Sequence, residues 1–182
     1  LTTTFASVDY VMSLDPTWHS ALFGVYFLSG CVTAAVATMA LMVAFLHRHG
    51  RLLRAVTAPH RHDLGRTLFV CTLSWAYLAF SQFLLIWYAA IPEETAHYAV
   101  RARGGWLGVA VGLILGHFLL PFLGLMSARA KRGGRTLAFW SGWLLVMHFV
   151  DLHFVVTPAL DPRRLPWHPL DATCSLGLLA LL

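Results

Sequence analysis

The chain has 182 residues, of which 58% are hydrophobic and 12% charged, and its mean hydropathy is +0.69. That balance lies outside the range of water-soluble domains and reads as an integral membrane protein. The formal charge of +5 does not indicate a nucleic-acid partner, because the basic residues fall in short segments between apolar runs.

Residues 1–14 are mildly apolar, carry Asp9 and Tyr10, and read as the tail of a helix. Asp15 and Pro16 then suit a helix cap and first turn. The first complete span is expected over 18–46, and the basic run HRHGRLLR ends it. Gly30, Ala34 and Thr38, four apart, put small residues on one face, where another helix can approach closely.

The second span is expected over 64–90. Thr67, Ser74, Ser81 and Tyr88 recur every seven residues, with Cys71 and Tyr77 beside them. This hydroxyl-rich stripe suits either a hydrogen-bonded proton path or interhelical packing. Gln82 is too polar to face lipid and should point into the bundle.

The third span, 106–126, is preceded and lined by Gly104, Gly108, Gly112 and Gly116 at a strict spacing of four, an extended close-contact motif. His117 lies beside that face near the middle of the span. Pro121 has no N–H for the carbonyl of residue 117, so a kink and a free acceptor beside the imidazole are expected.

The fourth span, 137–157, reads LAFWSGWLLVMHFVDLHFVVT and holds His148, Asp151 and His153 near its middle. A charged residue at a span centre costs about 3 kcal/mol on insertion scales, which makes such a cluster a functional candidate. His148 and Asp151, three apart, share a helix face, and His153 points elsewhere. The acid and imidazole could hold and pass a proton, or they could bond a neighbouring helix and fix its packing. A Pro-rich loop with Trp167 and His168 follows, and 172–182 begins a fifth, incomplete span. The expected fold is therefore all-α, a polytopic transmembrane bundle in one membrane domain, with four complete spans and partial helices at both ends of a fragment. Cys31, Cys71 and Cys174 form no ligand spacing and read as small hydrophobes.

The loops set the threading. Of the 13 Lys and Arg residues, eight lie between the first and second or the third and fourth spans and a ninth, Arg66, at the start of the second, while the other loops carry Glu93, Glu94, Asp161 and Asp171. Loops 47–63 and 127–136 are thus expected in the cytoplasm. This brings His117 and His148 to a common depth on antiparallel neighbours joined by SARAKRGGRT, so contact between His117 and the His148/Asp151 pair is expected. No phosphate loop, dinucleotide fingerprint, GxSxG or HExxH is present. His117 and His148 could ligate a haem, although no second pair accompanies them. His60, His62 and Asp63 lack a further ligand at metal spacing and suit a solvated entry point. Glu93 and Glu94 beside Pro92 either collect protons or cap the outer end.

The run HDLGRTLFVCTLSWAYLAFSQFLLIWYAAIPEET, together with FASVDYVMSLDPTWHSALFGVYF, GHFLLPFLGLMSARAKR and WLLVMHFVDLHFVVTP, resembles the second of the two NrfD-like, polysulfide reductase-type membrane subunits of bacterial alternative complex III. The resemblance extends over almost the whole chain and corresponds to the later half of a ten-helix subunit. It implies an integral membrane subunit of a quinol-oxidising respiratory complex in the bacterial inner membrane. It also implies proton translocation or quinone-linked energy coupling, with no cofactor of its own beyond a quinone. The implied partners are the companion NrfD-like subunit, iron–sulfur and multihaem cytochrome c subunits that carry the iron–sulfur clusters and haem c, the lipid bilayer and the quinone pool. The proton-relay candidates it carries onto this chain are His62, Asp63, Tyr77, Ser81, Gln82, His117, His148 and Asp151. A structural anchor for redox subunits, a secondary transporter and a haem-binding subunit are the alternatives.

Overall fold

A computed structural model describes residues 2–15, 18–51 and 56–160. Pro16, the Pro-rich loop beyond residue 160 and the expected fifth span lie outside the described residues. Seven helices follow in order: α1 (Thr2–Tyr10), α2 (Phe23–Arg48), α3 (Ala58–Ala89), α4 (Pro92–Arg101), α5 (Gly104–Met126), α6 (Ala128–Arg132) and α7 (Gly134–Leu160), with one 3₁₀ turn at Met12–Leu14. No strand occurs among the described residues. α2, α3, α5 and α7 are each long and apolar enough to cross a membrane. The shortest of them, 23 residues, rises about 34 Å against a hydrocarbon layer of roughly 30 Å. The protein is a transmembrane helix bundle.

The four spans form a ring in the order α2, α3, α5, α7, with α2 packing mainly on α3 and α7, and α5 closing the ring on the other side. The helix ends differ from expectation for local reasons. α2 begins at Phe23 without a side-chain cap, and Asp15 bonds His97 instead. α3 begins at Ala58, because Thr57 and His60 form a capping box with Pro59 in the first turn. His62 and Asp63 are therefore helical, not part of a loop. The loop expected at 127–136 contains α6, capped by Ser127 Oγ, which accepts from the Ala130 amide at 3.1 Å.

Small residues set the close approaches, though not all of those expected. A β-carbon at Gly30 would lie 2.7 Å from Cε1 of His148, and one at Gly116 would lie 2.7 Å from Sδ of Met147. The buried face of α2 runs Gly30, Thr33, Ala37 and Ala40, while Thr38 is exposed and bonds back to the Ala34 carbonyl. Gly108 and Gly112 meet nothing among the described residues. Among the described residues the glycine motif thus packs only at its last member, because α5 turns its apolar neighbours Trp106 and Leu113 inward. The hydroxyl stripe of α3 likewise faces away. Leu68, Cys71, Thr72, Trp75, Gln82 and Ile86 form the buried side, and Thr67, Ser74, Tyr77 and Tyr88 are exposed.

Two apolar clusters stack along the bundle. Val36, Ala37, Ala40, Leu68, Cys71, Leu125, Leu137 and Leu144 fill the α6 end, and Trp18, Phe23 and Ile86 fill the α4 end. The polar side chains lie between them. Gly30→Val should cost about 1–3 kcal/mol by forcing His148 aside. Gly108→Ala should leave stability unchanged or raise it by up to about 1 kcal/mol. Thermal unfolding of the detergent-purified chain measures both.

Candidate functional site

Each of the four spans contributes to one polar layer. Asp151 of α7 is only 3% exposed. Its Oδ1 accepts from the Tyr26 hydroxyl of α2, and its Oδ2 accepts from the Trp75 indole N–H of α3 at 3.0 Å. The Trp75 ring lies on the imidazole of His117 from α5, with centroids 3.9 Å apart and planes tilted by 35°. His117 is fully buried, and its ring centroid lies 6.5 Å from that of His148. The acid therefore turns both oxygens to aromatic donors on other helices, not to His148 on its own. A chain of contacts links the acid to the two imidazoles: Asp151, Trp75, His117, His148.

These polar groups differ from the buried hydroxyls around them. Thr33, Thr72 and Ser141 each donate to the carbonyl four residues back, at 2.8, 2.9 and 2.8 Å, so their own helices satisfy them. Both ring nitrogens of His117 and Nδ1 of His148 are buried with no hydrogen-bond partner among the described residues. A neutral imidazole has one donor and one acceptor, and each one left unmet costs about 1–3 kcal/mol. Packing alone gives no return for that cost, since an apolar ring would fill the same space without it.

The backbone around His117 explains how it is presented. α5 winds as a π-helix over Ile114–Leu119, with the Leu120 amide bonding the Leu115 carbonyl five residues back. In that register the proline ring of Pro121 leaves the carbonyl of Gly116 without a donor, and Trp143 Nε1 supplies one at 2.8 Å. The freed acceptor is that of Gly116, one residue before the expected position, because the widened turn shifts the pairing by one.

A cavity of about 1030 Å³ opens beside Asp151, between α3, α4, α5 and α7. Phe80, Leu107 and Ile114 are among its mostly aromatic and aliphatic walls, with Tyr26, Gln82, Tyr98 and Arg101 as polar points. Gln82 is buried, faces inward as expected and interacts with Tyr98, whose hydroxyl burial pushes up to about 12. Tyr77, 70% exposed, lines the same cavity from its open side, and Ser81 is half-buried beside Gln82 in the chain. His62 Nδ1 and Asp63 Oδ1 are 3.8 Å apart in the first turns of α3, about 18 Å along the axis from Trp75. His60 is occupied as a cap, its Nδ1 lying 2.7 Å from Thr57 Oγ1. Among the described residues no three His, Cys, Asp or Glu side chains gather as metal ligands. Glu94 stands in the first turn of α4, where a carboxylate complements the helix dipole.

At the α4 end, His97 bonds Asp15 at 3.1 Å and stacks on Trp18, with centroids 3.8 Å apart. Burial holds its imidazole down at about 4, helped by the Arg101 charge and partly opposed by Asp15. The unfolded chain takes up this proton near pH 6.5 and the folded chain only near 4, so stability present above pH 6.5 is lost as the pH falls toward 4. The loss should be on the order of 3 kcal/mol, and His97→Gln should flatten the pH dependence of the melting temperature across that window. At the polar layer, Tyr26→Phe and Trp75→Phe should each lower stability by about 1–3 kcal/mol, because each strips the buried acid of a donor. Ser141→Ala should cost less than either. No protein-family model matches the chain, and no curated protein matches it in sequence.

Proposed function

We propose that this chain is a proton-handling integral membrane subunit of a quinol-oxidising respiratory complex of the alternative complex III type, with Asp151 as its working carboxyl. The observation that carries the reading is Asp151 itself, buried at 3% exposure between Tyr26 and Trp75 in the middle of a membrane bundle. Ionisable groups at that depth are costly and commonly mark proton relays. His117 and His148 extend the polar layer with three nitrogens that have no partner among the described residues, which supports transfer over simple packing. His62 and Asp63 stand at the end of α3 assigned to the cytoplasm by its basic loops and serve as the entry point. Gln82 and Tyr77 line the cavity wall, and Ser81 is half-buried on α3. The apolar cavity beside Asp151 suits a lipophilic ligand such as quinone. Iron–sulfur clusters and haem c belong to the partner subunits, alongside the companion NrfD-like subunit.

A second reading, an anchor whose polar residues only fix helix packing, is favoured by the hydrogen bond that each oxygen of the Asp151 carboxyl accepts from another helix. Asp151→Asn in the assembled complex separates the two. The proton-handling role requires the number of protons moved per electron to fall at least several-fold while the complex still assembles, with Asp151→Glu recovering part of the loss. Unchanged quinol oxidation and unchanged proton yield in Asp151→Asn would leave the anchor.

A further inference from the structure

Arg101 reads in the sequence as one of the loop cations, yet it is 3% exposed and bonded into the bundle. The reason lies on α7. Pro158 is fully buried inside that helix and has no N–H for the carbonyl of Phe154, four residues back. A carbonyl left bare where protein shields it from water costs about 1–3 kcal/mol. The guanidinium supplies the donors. Its Nε bonds the Phe154 carbonyl at 3.2 Å and its NH2 group bonds the Val155 carbonyl at 2.7 Å, so one planar fork spans two successive acceptors. NH1 bonds the His97 carbonyl of its own helix at 2.8 Å, and the guanidinium lies 5.8 Å from the Phe154 ring centroid.

The fork sits one turn beyond Asp151. α4, which carries it, is held from the other side as well: His97 bonds Asp15 and stacks on Trp18, and Trp18 meets Phe23 edge-on, with centroids 5.4 Å apart. Phe23 opens α2, one turn before Tyr26. α4 is thus a strap that joins the end of α7 to the start of α2, the two helices whose Asp151 and Tyr26 must meet. We infer that Arg101 is a positioning residue, which grips the carbonyl released at Pro158 and the one after it and so sets Asp151 against Tyr26 and Trp75. The inference deepens the reading of Asp151 as the working acid, but its test does not depend on proton movement.

The test uses the full chain, purified with its accompanying subunits, as Arg101→Gln, Pro158→Ala and the double variant. Pro158→Ala returns an N–H to the Phe154 carbonyl and lessens the need for the fork. Arg101→Gln should lower the melting temperature by roughly 5–10 °C. It should also shift the infrared carboxyl bands of Asp151, identified by subtraction of Asp151→Asn spectra. In the double variant the loss should be clearly smaller than the sum of the two single losses, and the bands should move back toward the native position. Additive melting shifts together with unmoved Asp151 bands in Arg101→Gln would overturn the assignment. If Arg101→Gln does not accumulate, Arg101→Lys gives the same comparison, since an ammonium lacks the planar fork that holds the Phe154, Val155 and His97 carbonyls at once. Loss of the thermal coupling would overturn the clamp while leaving the role of Asp151 intact, and a silent Asp151→Asn would do the reverse.

Discussion

The absence of water in the bilayer core is the constraint from which the architecture follows. Every buried donor or acceptor there must find its partner within the protein, and an acid must find several. Asp151 meets that demand with a phenol from α2 and an indole from α3, and so it ties three of the four spans together at one level. The fourth span joins through the face of the same indole, on which His117 lies. Apolar clusters lie above and below this layer, and their low polarity strengthens its hydrogen bonds and raises the cost of losing any of them.

Two prolines meet the same constraint in parallel ways. Pro121 and Pro158 each leave a helical carbonyl bare, and in each case a long side chain from another helix supplies the donor: Trp143 to Gly116, and Arg101 to Phe154. Both repairs flank the Asp151 layer. The first accompanies the π-helical turn that carries His117, and the second anchors the helix that carries Asp151. Irregular backbone is placed where the polar side chains are, and cross-helix bonds hold it in a single arrangement.

The outward faces carry a different kind of information. Gly108 and Gly112 leave room for a close neighbour that the described residues do not provide, and Thr67, Ser74 and Tyr88 of α3 are exposed. Faces of this kind fit a subunit that works inside a larger assembly, as the proposed function requires.

Much of this was legible in the residues. Apolar runs of about twenty residues dictate spans, since only a helix satisfies its own backbone in lipid, and the polarity of Gln82, His117, His148 and Asp151 dictates that they turn inward. The partners were not legible. Tyr26 and Trp75 are two aromatics in a chain with 5 Tyr and 7 Trp, and no local pattern marks them as the donors to Asp151. The one available signal was chemical: a buried phenol and indole need acceptors, and Asp151 is the carboxylate at that depth. Arg101 was hidden for a similar reason, because a cation in a short connection normally stays in water. Periodicity fixes which residues lie on one face of a helix. It does not fix how four helices rotate about their axes, and that rotation decided which glycines pack, which hydroxyls face outward and which donors reach the acid.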